Sequence, residues 1–114
     1  MKLLAILILS VQTFAAPPPP TIQEAEKLLR AEKREAAQRV VEAFLQKNDT
    51  ALGYIRIGNL YARVKKWGEA VHYLELATKR DPRNAFAYYE LGLAQHQNKK
   101  TDDATISLRK SLKI

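Results

Sequence analysis

Two arginines and an asparagine are the residues whose types and spacing come closest to a binding chemistry. Arg56, Asn59 and Arg63 recur three and four residues apart, so on a helix they share one face. An arginine guanidinium can grip a carboxylate through two parallel hydrogen bonds. The spacing therefore favours recognition of an acidic group. The alternative is that these arginines are only solvated.

Patterns that indicate catalysis or metal binding are weak in this chain. His72 and His96 do not have the spacing of a helical metal pair, and there is no cysteine to supply thiolates. No serine lies in a glycine-rich elbow, and no glycine-rich phosphate-binding loop is present. Asp102 and Asp103 precede a predicted helix, where acidic residues favour the helix dipole. We therefore expect a protein that is not an enzyme and that holds no cofactor or metal.

The first twenty residues, MKLLAILILSVQTFAAPPPP, have the layout of a secretory signal peptide. Lys2 is followed by a mostly apolar stretch that is too short to span a bilayer. Small residues come next, and we expect cleavage near Ala15 or Ala16. This assigns 1–16 to a signal peptide and 17–20 to a stiff proline spacer. We expect a periplasmic or secreted protein; an uncleaved anchor is the alternative, and bacterial and eukaryotic secretion stay open.

The formal charge of +7 is concentrated in the middle and at the end of the chain. Residues 21–50 carry six basic and six acidic side chains, whereas 51–84 carry seven and three, and 85–114 carry five and three. The paired lysines in these segments occupy predicted turns, and no stacking platform for bases accompanies them. We therefore expect no nucleic-acid partner, and the lysines keep the surface soluble or touch an anionic envelope surface.

The second half of the chain repeats itself at an interval of 34 residues, so that the segment starting at residue 51 recurs at residue 85. In each copy, apolar residues at helical spacing lie on both sides of a polar break, which is KKWG or NKKTD. Each copy is therefore predicted to be two helices joined by a short turn. The matching pairs include Tyr54 and Tyr88, Ile57 and Leu91, Gly58 and Gly92, and Leu74 and Leu108.

The joint between the two copies is built from residues that end one helix and start the next. Pro82 lacks an N–H and disfavours helical geometry at Asp81, and Asn84 can cap the helix that follows.

A glycine inside each predicted first helix costs about 1 kcal/mol relative to alanine. Gly58 and Gly92 are therefore predicted to mark a close helix approach, with Ala70 and Ala104 as small partners on the opposite helix.

These residues resemble the tetratricopeptide repeat family, whose 34-residue unit forms a helix–turn–helix. The resemblance implies an all-α fold in which antiparallel helical hairpins stack as a short solenoid, with units at 51–84 and 85–114. Gln95 and Ser111 depart from the family pattern, and the second unit lacks the final Asp-Pro. The signature positions are occupied by Tyr54, Ile57, Gly58, Tyr61, Ala70, Leu74, Ala77 and Pro82, and then by Tyr88, Leu91, Gly92, Ala104 and Leu108.

The segment before the repeats is predicted to cap the stack. Thr21 and Glu24 form a capping-box pattern, and no glycine or proline follows until Gly53. We expect 21–50 to be one long capping helix, or two coaxial helices, whose second half replaces a missing unit. Its apolar stripe comprises Ile22, Ala25, Leu29, Ala36, Val40 and Phe44.

The family resemblance implies a concave groove, lined by the first helices of successive units, that binds a peptide of another protein, here one with acidic character. Together with the signal-peptide pattern, it predicts an exported interaction module or scaffold; the alternative is an accessory subunit of an envelope enzyme or assembly complex whose catalytic residues lie on another chain. Apolar residues near the end of the last helix also suggest self-association, a docked partner or a fragment of a longer array. The implied groove residues are Ile55, Arg56, Asn59, Arg63, Phe86, Tyr89, Glu90, Leu93 and His96.

Overall fold

The computed structural model describes residues 20–114, so the proposed signal peptide and most of the proline spacer lie outside the described residues. These residues form α-helices and turns without any strand, which confirms the predicted all-α class. Consecutive helices pair as three hairpins. The helices are α1 (Ile22–Arg30), α2 (Arg34–Lys47), α3 (Ala51–Arg63), α4 (Trp67–Arg80), α5 (Ala85–Gln97) and α6 (Thr101–Lys113). Within residues 20–114, no helix is both long enough and apolar enough to cross a bilayer.

All three hairpins turn through the same backbone motif. A non-glycine residue takes a left-handed conformation just after the first helix, at Glu32, Lys65 and Lys99, with φ of 59°, 59° and 62°. Such a conformation costs an L-residue roughly 1–2 kcal/mol, but it lets the next N–H reach back and satisfy a carbonyl of the last helical turn. The three bonds join Lys33 to Leu28 (2.9 Å), Lys66 to Tyr61 (2.9 Å) and Lys100 to Gln95 (2.8 Å).

The expectation of one long helix, or two coaxial helices, over 21–50 is wrong. The turn at Glu32 divides this segment into α1 and α2, which pack against each other as a first hairpin. The absence of glycine and proline does not make a helix continuous across this segment. The motif at Glu32 uses backbone hydrogen bonds, so it needs neither residue.

The register of this first hairpin also differs from the prediction by one residue. Its left-handed residue precedes that of the next hairpin by 33 positions, whereas the next two are 34 apart. The buried row of α2 therefore contains Ala37 and Val41, and the predicted Ala36 and Val40 are only half-buried. The remaining stripe residues lie inward as predicted: Ala25, Leu29 and Phe44 are buried, and Ile22 is half-buried.

The joints between hairpins are fixed by side chains that bond to the backbone. Asp81 is extended (φ −138°), as expected before a proline, and its carboxylate accepts the N–H of Arg83 at 3.1 Å. Asn84 then caps α5 by accepting the N–H of Ala87 at 3.0 Å, which confirms its predicted role. Equivalent caps start α1 and α3. The hydroxyl of Thr21 accepts the N–H of Glu24 at 3.1 Å, and the hydroxyl of Thr50 accepts the N–H of Gly53 at 3.0 Å.

One exchange of side chains explains how the second unit tolerates its departure at Gln95. In the first unit, the rings of Tyr61 and Tyr73 stack with centroids 5.4 Å apart. The residues 34 positions later are Gln95 and Ser107, both buried, and the serine hydroxyl donates to the glutamine carbonyl at 2.7 Å. A buried polar group is costly unless it is hydrogen-bonded, so the two replacements are compatible because they occur together.

The two glycines that recur 34 residues apart lie at close helix approaches, as predicted, but leucines are their main neighbours. A Cβ on Gly58 would lie 2.6 Å from Cγ of Leu74, and a Cβ on Gly92 would lie 2.7 Å from Cγ of Leu108. The expected partner Ala104 contributes its carbonyl oxygen at 3.3 Å. At Gly58 the three nearest atoms all belong to Leu74, and Ala70 on the opposite helix is fully buried.

Alanine substitutions at three glycines should give three different changes in the free energy of unfolding. Gly58→Ala should destabilise by about 1–2 kcal/mol, because Leu74 is locked in the core and the clash exceeds the gain in helix propensity. Gly92→Ala should change stability by less than about 1 kcal/mol, because Leu108 is only half-buried and can move. Urea titrations monitored by circular dichroism measure each value.

Gly68 in α4 is the matched control, because nothing lies within 4 Å of a Cβ placed there. Gly68→Ala should stabilise the protein by up to about 1 kcal/mol. A result in which Gly58→Ala is neutral and Gly68→Ala is harmful would contradict the packing described for these helices.

Candidate functional site

An open cleft lies where the start of α1 meets α3. Its volume is about 460 Å³, and Phe44 of α2 forms part of its lining. Arg56, Asn59 and Arg63 of α3 all line this cleft, so the structure brings together the three residues that sequence spacing placed on one face. The opposite wall is formed by the segment from Pro20 to Gln23.

Arg63 is held by a carboxylate that sequence spacing did not identify. Its Nε donates to Oε1 of Glu26 at 2.8 Å, and Arg30 binds the other oxygen of the same carboxylate at 3.0 Å. The hydrogen bonds from Arg63 and then from Arg30 lower the pKa of Glu26. No local pattern could have found this contact, because 37 residues separate Glu26 from Arg63.

Arg56 differs from Arg63 because it has no ion pair within the described residues. Its side chain is exposed at the cleft, and the half-buried amide of Asn59 lies one helical turn away. A guanidinium that no carboxylate of the described chain neutralises can bind an anionic group from outside through two hydrogen bonds. Arg56 is therefore the candidate anion-binding residue of the cleft.

Ile55 does not line the groove, which corrects the prediction for this residue. Only 2% of its surface is exposed, because it belongs to the row of α3 that packs towards the next hairpin. Asn59 and Ala62 share this row, since residues four and seven positions apart lie on one helix face.

The first helix of the second unit, α5, carries an exposed aromatic side chain near its start. Phe86 is half exposed, as is Leu52 at the equivalent place on α3. The ring of Phe86 stacks on that of Tyr89, with centroids 6.5 Å apart. Glu90, which follows one turn after Phe86, is half-buried, and burial raises the pKa of its carboxyl group.

Three further predicted residues lie on a row of α5 that no following hairpin covers within residues 20–114. Tyr89, Leu93 and His96 are exposed and occupy the row of α5 that corresponds to Ile55, Asn59 and Ala62 of α3. The opposite row of α5 is buried against the preceding hairpin, so this row faces away from it. The nine predicted residues thus divide into four groups: the buried Ile55, the three that line the cleft, Phe86 and Glu90 on α5, and the three on this exposed row.

The described residues do not offer a metal-binding cluster of three or more His, Cys, Asp or Glu side chains. His72 lies on α4, where its ring packs against the edge of Tyr73 with centroids 5.0 Å apart. His96 lies on α5 and is exposed.

The stacked hairpins define a helical-repeat protein. Two models of the tetratricopeptide repeat family match the chain, one over residues 51–84 and the other over residues 73–105. The chain belongs to the tetratricopeptide repeat family, and it contains the protein–protein interaction module that such repeats form. A search of curated proteins returned no significant match.

Removing the charge of Glu26 should loosen α1 from α3. Glu26→Gln should lower the melting temperature and speed hydrogen exchange in α1, because Arg63 and Arg30 would lose their shared carboxylate. The folded-state pKa of Glu26 lies below its ordinary value of 4.5, so its stabilisation is present above that pH and is lost as pH falls through the lowered pKa. The difference between the wild-type and variant melting temperatures should therefore shrink below about pH 4.

The matched control for this charge is Glu75→Gln, which removes an exposed carboxylate on α4 that forms no ion pair with any of residues 20–114. It should leave hydrogen exchange in α1 unchanged. A pH-independent difference for Glu26→Gln, or an equal effect of Glu75→Gln, would contradict the assigned role of the ion pair.

Proposed function

We propose that this protein is exported and binds an extended, acidic segment of a partner protein on the concave surface formed by α1, α3 and α5. Binding would rest on charge and shape complementarity, without chemistry on either chain. The proposal makes the protein a scaffold or adaptor outside the cytoplasm.

The guanidinium of Arg56, which forms no ion pair within residues 20–114, is the observation that carries this proposal. It lies in the cleft beside the amide of Asn59, where a carboxylate could accept two hydrogen bonds from arginine and one from asparagine. Arg63 contributes mainly positive potential, because its Nε is already bound to Glu26. The proposal therefore assigns the main contact with the anionic group to Arg56 alone.

An apolar contact one helix away supports the same mode of binding. Phe86 is exposed on α5, and its ring is held by stacking against Tyr89. Packed helices lie about 8–10 Å apart, and an extended chain covers about 3.3 Å per residue. A peptide that crosses the helices should therefore place its acidic residue about three positions from its apolar residue.

Selection of peptides from a random library against the purified protein tests this spacing. The enriched peptides should carry Asp or Glu about three residues from a large apolar side chain. For the best of them, Arg56→Glu should raise the dissociation constant at least tenfold, or about 1.4 kcal/mol, because it replaces an attraction by a repulsion. Isothermal titration calorimetry measures the change.

Arg39→Glu is the matched control, since it makes the same charge change on an exposed face of α2. It should leave the dissociation constant within about twofold, because exposed charges farther apart than the Debye length are largely screened. Enriched peptides without acidic residues, or equal effects of the two variants, would overturn the proposal. Co-purification of a stable complex with a catalytic chain would instead favour an accessory enzyme subunit.

Export is tested by the mature N-terminus and by the fraction that contains the protein. Expressed with its leader in a bacterial host, the chain should appear in the periplasm with an intact mass that corresponds to cleavage near Ala15 or Ala16. Leu7→Arg should block processing, because it places a charge in the apolar stretch that must be recognised. Full-length wild-type protein in the cytoplasm, or uncleaved protein in the membrane, would contradict a cleaved signal peptide.

A further inference from the structure

One row of residues, at equivalent positions in the first helix of each hairpin, is covered by a following hairpin in α1 and α3 but is exposed in α5. In α1 the row is packed against α3, and in α3 it is packed towards α5. In α5 no further hairpin follows among the described residues, and Tyr89 and Leu93 are 45% and 42% exposed. The corresponding residues are Ile22, Glu26 and Leu29 in α1, Ile55, Asn59 and Ala62 in α3, and Tyr89, Leu93 and His96 in α5.

The last helix, α6, extends this uncovered surface. Its residues Thr105, Leu108 and Leu112 correspond to Val71, Leu74 and Thr78 of α4, which are buried or half-buried. Leu112 is 87% exposed. We call the combined surface the terminal face; it consists of Tyr89, Leu93, His96, Thr105, Leu108 and Leu112.

The opposite end of the stack is polar, so the two ends are not equivalent. Glu24 and Lys27 lie on the outward row of α1, and both are exposed. Repeat arrays need a polar outer face at their ends to stay soluble, and only the α1 end has one among the described residues. Head-to-tail stacking would bury these charges against apolar side chains without partners, which is costly.

We propose that the terminal face joins two copies of this chain around a two-fold axis. In such an isologous contact the same residues meet from both sides, with α5 against α5 and α6 against α6, each pair antiparallel. Gly92 faces Leu108 directly, since a Cβ on it would lie 2.7 Å from the leucine Cγ. Leu93 and Leu108 therefore lie at one level, and both can lie on the same axis.

The charges of α6 favour this antiparallel pairing. Its first turn carries Asp102 and Asp103, and its last turn carries Lys110 and Lys113. With Leu108 near the axis, Asp102 of one copy lies opposite Lys113 of the second copy, and the reverse contact forms as well. A parallel pairing of α6 would instead place like charges together, which suppresses that arrangement.

Sedimentation equilibrium of the purified full chain tests the dimer. The wild type should associate into a dimer, and Leu112→Asp should raise its dissociation constant at least about tenfold, because it places a carboxylate in the apolar contact near the acidic start of the other α6. Leu112 is so exposed that this change should leave the fold, followed by circular dichroism, intact.

Ile106→Asp is the matched control, because Ile106 is 65% exposed on the same helix but lies outside the terminal face. It should leave dimerisation unchanged. Asp102→Lys and Lys113→Asp should each weaken the dimer, and combining them should restore it, since every contact across the axis then regains opposite charges.

A wild type that stays monomeric at high micromolar concentration would overturn the proposal and leave the terminal face to another occupant. Loss of the dimer in Ile106→Asp but not in Leu112→Asp would overturn it too. Failure of the double charge exchange to restore association would exclude the antiparallel arrangement proposed here.

Discussion

Each hairpin buries its apolar rows only against a neighbouring hairpin, and the rest of this structure depends on that constraint. A lone helix pair can cover the row between its own two helices, but the flanks of its first helix need other helices beside them. The middle hairpin has neighbours on both sides, and its Ile57, Leu60 and Leu74 are almost fully enclosed. Within residues 20–114 the outer hairpins have one neighbour each, so their outer rows must be polar or must be covered from outside this part of the chain.

Close helix approach is what makes this nearest-neighbour burial effective. Gly58 and Gly92 leave space that Leu74 and Leu108 fill, so the two helices of a hairpin meet without a gap. The turns within the hairpins are also short. The left-handed residues Glu32, Lys65 and Lys99 reverse the chain within about three residues, and the N–H that follows each of them bonds to a helix carbonyl. Short turns keep the hairpins in register, and the register decides which side chains reach the concave surface.

Much of this architecture could be predicted from sequence, because similar residues recur at the same positions in each copy of the repeat. The helix pairs, the joint at Pro82 and the cap at Asn84 all follow from residue chemistry that acts over a few positions. The site was harder to predict. Burial of Ile55 depends on a neighbouring hairpin, and the engagement of Arg63 depends on Glu26 from a distant helix. Such contacts exist only after stacking, so spacing within one helix could not distinguish Arg56 from Arg63.

The outermost helix rows differ between the two ends of the described stack. This difference affects both the stability of the stack and the surfaces that remain free to bind a partner. At the first end, the outward row of α1 is polar, while its inward row supplies Glu26 to Arg63. That contact ties the capping hairpin to α3, and it also withdraws one arginine from the cleft. At the other end, Tyr89 and Leu93 stay exposed, although the corresponding residues of α3, Ile55 and Asn59, are buried and half-buried. Association through that face would bury the flank while leaving Arg56 and Phe86 accessible on the concave surface, so peptide binding and self-association need not compete for the same residues.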